Sequence, residues 1–282
     1  MFDEEHVIYR YKYLPFSEGS LKTISEGTIK FTNPLEFNDP FDCLPHYDIT
    51  SINQITRMRR DLFKAAGDRK GLSPGKRIQQ KGEFVARLRH RIEDGSFARD
   101  LMKPVGVVSL SRNALNIPMW SHYADFHKGL VLEFRIPFMG VRDDLALSID
   151  RLLPFSVKYA SQRPHIKIGT ELPHDLVDKL VLTKSRDWEY EEEERVIDRD
   201  RGAGIFPYRR DEILSSVIAG LRISEGNFKR LETLIQNLSD SSMPNLSIFR
   251  AHEKKGDYQL EVMGHPRLDP QYTDRSNRQL AK

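Results

Sequence analysis

The chain has one cysteine, Cys43. That excludes an intramolecular disulfide and any multi-cysteine zinc or iron–sulfur centre, and it fits a reducing compartment. No apolar run approaches the ~20 residues that span a bilayer, so no membrane partner is expected. The opening residues, Met1-Phe2-Asp3-Glu4-Glu5-His6, are acidic and polar where a secretory leader is basic and then apolar; the expected location is cytoplasmic. A glycine-rich phosphate loop, a two-histidine zinc helix and a nucleophile-elbow serine are all missing, which removes the common nucleotide-triphosphatase, metalloprotease and hydrolase readings. The net charge of +3 over 282 residues is too small to dictate a partner.

What is present describes a globular protein. Hydrophobic residues make up 39%, charged residues 30% and aromatics 10%. That suffices for a substantial core. Charge is unevenly placed. Residues 51–103 hold fourteen Lys/Arg against six Asp/Glu, a net +8, which leaves −5 for the rest. Such a segment reads as a solvated helical face or as a surface that meets the phosphates of nucleic acid.

Alternation and β-formers place strands at 7–13, 28–32, 105–110, 130–136, 154–159, 195–198 and 213–219, with paired strands at 247–252 and 258–263. Helical spacing appears at 17–26, ended by Gly27, and at 51–67, 76–94, 172–184 and 227–238, with a short turn of helix at 118–125. There is no regular strand–helix rhythm of a doubly wound sheet. The expectation is a single α+β domain over residues 1–265. It has a central mixed or antiparallel sheet and a helical insertion at 51–103, and residues 266–282 form a loose tail.

Five motifs concentrate chemistry. In Tyr9-Arg10-Tyr11-Lys12-Tyr13 the tyrosines share one strand face, and Arg10 and Lys12 share the other, where either can hold a phosphate or carboxylate. Phe37-Asn38-Asp39-Pro40-Phe41-Asp42 is turn chemistry and reads first as a structural corner. Ser109-Leu110-Ser111 puts two hydroxyls on one face at a strand end. Met119-Trp120-Ser121-His122-Tyr123 offers an aromatic wall with a titratable histidine. His122 and His127 are badly spaced for a metal, and no metal site is expected. Trp188-Glu189-Tyr190-Glu191-Glu192-Glu193-Glu194-Arg195, if extended, lines up Glu191, Glu193 and Arg195. So many carboxylates repel, so that some pKa values rise and some charges need cations.

These motifs together resemble the bacterial family known as domain of unknown function 2971, some members of which are labelled abortive-infection-like. The resemblance rests on Tyr11-Lys12-Tyr13, Asn38-Asp39-Pro40-Phe41-Asp42, Ser109-Leu110-Ser111, Met119-Trp120-Ser121-His122-Tyr123-Ala124, His127-Lys128-Gly129, Val157-Lys158-Tyr159, Lys184 with Trp188 to Arg195, and Ile218-Ala219-Gly220. It implies membership and a place in phage defence, but no activity.

The order of a basic residue, Ser-x-Ser and Glu-x-Glu is also similar to the ADP-ribosyltransferases. That likeness implies NAD as substrate. Glu191, Glu193 and Ser111 would be catalytic. Arg10, Lys12, Ser109, Trp120, His122 and Tyr123 would bind the nucleotide. It departs from the family pattern in the leucine between the serines and in a second possible acidic frame, Glu192-Glu194. Two readings of another class stand beside it. One is a noncatalytic sensor of a nucleotide or phage component; the other is a nucleic-acid-binding module organised by the 51–103 insertion.

Overall fold

A computed structural model describes residues 7–137, 145–169, 176–269 and 271. In chain order the strands are β1 (Val7–Leu14), β2 (Thr28–Phe31), β3 (His46–Asp48), β4 (Gly106–Ser111), β5 (Leu130–Pro137), β6 (Phe155–Ser156), β7 (Lys158–Ala160), β8 (His165–Lys167), β9 (Thr183–Ser185), β10 (Glu193–Asp198), β11 (Gly204–Pro207), β12 (Leu214–Ala219), β13 (Ser247–Arg250), β14 (His252–Glu253) and β15 (Leu260–Glu261). Seven of them form one mixed sheet in the order β13-β12-β5-β1-β4-β10-β6. Its one parallel pair is β12 with β13, and every other neighbour is antiparallel. The fold is α+β, as expected.

Alternation in the strands divides the core between the two sheet faces. On one face Val108, Leu110, Leu132, Phe134 and Val196 pack with Leu21 and Ile24 of α1 (Glu18–Ser25) and with Leu231 and Ile235 of the long helix Glu225–Ser241. On the other, Tyr11, Tyr13 and Val131 pack on Trp120, while Val105 and Val107 meet Ile52, Ile55 and Met102 of the insertion. Local chemistry sets the helix ends. Ser17 caps α1 by accepting from Ser20 N, and Gly27 leaves that helix at φ +66°.

The insertion is helical but more divided than the periodicity implies. The 51–67 run breaks at Arg59 (φ −120°, ψ 64°) into α2 (Ile55–Met58) and α3 (Arg60–Arg69). The 76–94 run becomes α4 (Pro74–Gln79), started by a Ser73 cap, and α5 (Lys81–Glu93). A further helix, α6 (Ser96–Met102), has no counterpart in the expected elements. The expected 172–184 helix is observed as helix over Leu176–Val181 followed by β9; residues 172–175 lie outside the described set. The two C-terminal strands do not pair along their length. β13 joins the main sheet, and β14 and β15 form a separate two-residue ladder.

The start of the expected tail is docked. Arg267 pairs with Glu133 in the middle of β5 and lies 3.5 Å over the Tyr9 ring. Asp269 is buried and accepts from Gly264 N at 2.7 Å. Residues 270 and 272–282 lie outside the described set.

Candidate functional site

β4 is contacted on one edge by two different segments. β1 meets it at a single pair, Tyr11 with Ser111, and Thr32, just after β2, bridges it at Val107. Between these points the ladder is open, and a cavity of 370 Å³ lies there. It is the size of pocket that takes a small ligand. Lys12, Ser109, Ser111, Glu191 and Glu193 all line it, as do His122 and Tyr123.

Lys12 occupies the gap. Its Nζ donates to the Ser109 carbonyl at 3.0 Å, replacing a ladder bond that β1 does not make. Burial pushes its pKa down to about 8, against the opposing pull of Glu193. Ser111 Oγ donates to the Glu191 carbonyl at 2.7 Å and accepts from Asn113 N at 3.0 Å. The serine therefore fixes the backbone that delivers the acidic pair.

The acidic run is not a continuous strand. Residues Arg186–Glu191 form a 3₁₀ helix, Glu192 turns through a left-handed conformation (φ 46°), and β10 starts at Glu193. Even so, Glu191 and Glu193 meet on one cation. Lys184 Nζ on β9 contacts Glu191 Oε2 and lies 2.8 Å from Glu193 Oε2. Arg195, two positions along β10, grips the other side of Glu193 at 2.8 and 2.9 Å. It also binds both oxygens of Asp42, at 3.0 and 2.6 Å, and the Val181 carbonyl at 2.6 Å. Lys12, Lys184 and Arg195 thus face Asp42, Glu191 and Glu193, three charges of each sign.

The two glutamates titrate in opposite directions. For Glu193, burial alone would raise the pKa, but Arg195 and Lys184 outweigh it and hold the carboxyl down at about 2. For Glu191, burial prevails over Lys184 and the pKa is raised. Tyr123 donates to Glu191 Oε1 at 2.7 Å. Burial and this carboxylate push the Tyr123 phenol up. Tyr159 on β7 accepts from Glu193 N at 2.7 Å and fixes the start of β10. Carboxylates whose surroundings drive them apart are suited to different proton tasks.

Two expected ligands of the site lie elsewhere. Arg10 points to the opposite sheet face, where it pairs with Glu194; its NH2 is 3.1 Å from Glu194 Oε1, and Ser156 Oγ donates to the same oxygen. Its strand neighbour Lys12 nominally shares that face and reaches the cavity only because the ladder is open there. Trp120 is fully buried, with its ring edge-on to Tyr13 and its Nε1 donating to the Ala114 carbonyl at 2.8 Å. It is a wall behind the site with no surface to stack on a ligand. His122 is exposed at the mouth, 6.4 Å from the Tyr190 ring. α7 (Ile117–Tyr123), capped by Asn116, carries His122 and Tyr123 to their places.

Asp42, Lys184, Arg195 and Tyr159 were not among the expected site residues. The Asn38–Asp42 segment is a structural corner, since Asp39 accepts from Phe41 N at 2.8 Å and from Trp188 Nε1 at 2.8 Å. The same corner also sends Asp42 into the site. The signal available for Lys184 and Arg195 was charge balance, because a buried acidic run requires cations; Asp42 is a further acid on Arg195, which that balance does not point to.

Among the described residues no group of three His, Cys, Asp or Glu is placed to hold a metal ion. Among them too, no helix is long and apolar enough to cross a membrane. No curated protein and no solved structure matches the chain. Residues 119–196, from the tryptophan helix to the acidic strand, match the model of the family described as protein of unknown function (DUF2971), and over that span the family resemblance read from the motifs is borne out.

Proposed function

We propose that the cavity is a nucleotide site and that the protein cleaves NAD at the nicotinamide–ribose bond and transfers the ADP-ribose. The observation that carries this reading is the meeting around one cavity of a basic residue on β1, a Ser-x-Ser on β4 and a Glu-x-Glu that runs from the 3₁₀ helix into β10. In this reading Lys12 holds a phosphate oxygen of the substrate, and Ser111 holds the backbone before Glu193. When the C–N bond breaks, its electron pair leaves with the nicotinamide and positive charge develops on the ribose. Glu193, kept ionised by its two cations, stabilises that charge, a preorganised electrostatic role. Glu191, whose pKa is raised, takes the proton of the attacking acceptor. Loss of NAD or modification of a phage component would serve the phage-defence role that the abortive-infection resemblance implies.

A second reading rests on the pairing of Asp42, Glu191 and Glu193 with buried cations. Such a balanced network also suits a receptor that binds a nucleotide without turning it over.

Chromatography of NAD incubated with the protein separates the readings. Transfer or hydrolysis releases nicotinamide, and Glu193→Gln lowers its rate by about 10²–10³ while far-UV circular dichroism stays unchanged. Saturable binding with intact NAD selects the receptor. The absence of both binding and release overturns the nucleotide site itself.

A further inference from the structure

The helical insertion carries a groove that the NAD reading does not use. Two hollows of 210 and 390 Å³ adjoin along α3 and α5, and both are lined by Ala66, Lys70, Phe84, Leu88 and Arg91. The floor is apolar. Phe63 and Phe84 meet edge to face at 5.3 Å, and Phe97 and Ile168 close the larger hollow. Across α3 and α5 only Gly67 and Val85 are buried, so the apolar stripe of these amphipathic helices is left half covered. Leu62, beside the groove, is 41% exposed. An open apolar stripe costs solvation free energy unless something lies on it.

The rim has one sign of charge. Arg69, Lys70, Arg77, Arg87 and Arg91 border the hollows, and no described lining residue is acidic. Arg77, Arg87 and Arg91 pair with Asp68, Glu83 and Asp100. Arg69 and Lys70 have no ion pair among the described residues.

An apolar trough with a cationic rim sets the chemistry of its occupant. Nucleic acid would meet the cations through its phosphates and could stack a base on an aromatic ring, but it would leave the aliphatic floor of Leu62, Ala66, Leu88 and Ile168 unused. A peptide helix with apolar residues at i, i+3 or i+4, and i+7 fills a trough between two helices, and acidic residues along its flanks meet the rim. We propose that the α3–α5 groove of the insertion docks an acidic amphipathic helix of a partner protein.

The test is a display library of helical peptides selected on the full-length protein, followed by fluorescence anisotropy with the selected peptide. The expected peptides place Leu, Ile, Phe or Met on one helical stripe with Asp or Glu beside it. Two variants check the location. Ala66→Phe fills both hollows, and Arg69→Glu/Lys70→Glu reverses the unpaired rim; each weakens binding at least tenfold with an unchanged thermal midpoint. Against the charge-reversed protein, a peptide whose acids are changed to lysine binds better than the parent. If Ala66→Phe fails to fold, the reversal pair decides alone. No selection, selection of basic peptides, binding indifferent to these changes, or stronger binding to a DNA oligonucleotide or to phosphatidylglycerol vesicles than to any peptide overturns the proposal.

Discussion

Lys12 Nζ lies 3.0 Å from the carbonyl oxygen of Ser109, in the opening where β1 parts from β4. This contact joins two motifs 97 residues apart and makes the cavity possible. Full pairing of β1 with β4 would close the space, and the lysine would stay with Arg10 on the far face. Lys184 and Arg195 are engaged by carboxylates, whereas no ion pair holds Lys12 among the described residues, so in the proposed function it is the cation that meets an incoming anion.

The lowered pKa of Lys12, about 8 against an ordinary 10.5, gives a pH signature. Below pH 8 the amine is charged and holds a phosphate; above it the charge is lost. Calorimetric affinity for ADP-ribose is expected to be flat from pH 6 to 7 and to fall above 8. Lys12→Met is expected to bind at least tenfold more weakly, with no pH dependence in that window. The sign for stability is opposite. A folded pKa depressed below the unfolded one means that the charged amine costs stability below pH 8, and the cost disappears as pH rises toward 10.5. Lys12→Met therefore raises the melting temperature at pH 7, by about 2–4 °C for each kcal/mol relieved. A variant both weaker in binding and more stable marks a group retained for its ligand.

Acid should unfold the protein through two buried carboxylates. Burial opposes ionisation of Glu193 and Glu133, yet their cations, with His265 and Ser215 also bonding Glu133, hold both at about 2 against an ordinary 4.5. The stability they contribute is complete above pH 4.5 and is lost as pH falls toward 2. Urea midpoints measured across that window are expected to drop steeply. Glu133→Gln leaves Arg267 facing a neutral amide and costs about 3–5 kcal/mol at pH 7, with a shallower acid limb. An unaltered acid limb in both Glu133→Gln and Glu193→Gln would assign acid unfolding to other groups.

Much of the architecture was legible in the chain. Alternation and β-formers marked strands of the main sheet, and Gly27 marked the end of α1. The motifs of the candidate site were legible as well, since Lys12, Ser109, Ser111, Glu191 and Glu193 line one cavity. What failed was parity. Alternation put Arg10 and Lys12 on one face, but a local opening in the ladder lets the longer reach of one lysine cross to the other. Trp120 was misread because composition cannot tell a buried aromatic from a lining one. Its indole bonds a carbonyl six residues back, a contact set by the turn after β4. Arg195 and Lys184 were hidden because their role comes only from the folding together of Asp42, β9 and β10.

The turn after α7 offers a test of how the tryptophan motif is built. Asp125, Phe126 and His127 all adopt left-handed backbone, with φ of 46°, 52° and 68°. Each such non-glycine residue costs about 1–2 kcal/mol. The turn persists because Gly129 lies against the Leu14 and Ala124 carbonyls, where a Cβ would come within 2.2 and 2.9 Å. Phe126 is 63% exposed, so little packing is lost on its removal. Phe126→Gly is expected to raise the melting temperature, whereas Gly129→Ala lowers it and displaces His122 and Tyr123. A stabilised Gly129→Ala protein would contradict this account.

In the proposed function Lys12, Ser111, Glu191 and Glu193 form one working site for a nicotinamide dinucleotide. The most direct measurement is the rate of nicotinamide release from NAD by the wild-type protein, Glu191→Gln and Glu193→Gln, each checked for retained fold and for ADP-ribose binding. Release by the wild type, lost in Glu193→Gln with binding intact and reduced in Glu191→Gln, is the predicted result. Equal release by all three proteins, or NAD left intact and unbound by a folded wild type, would contradict it.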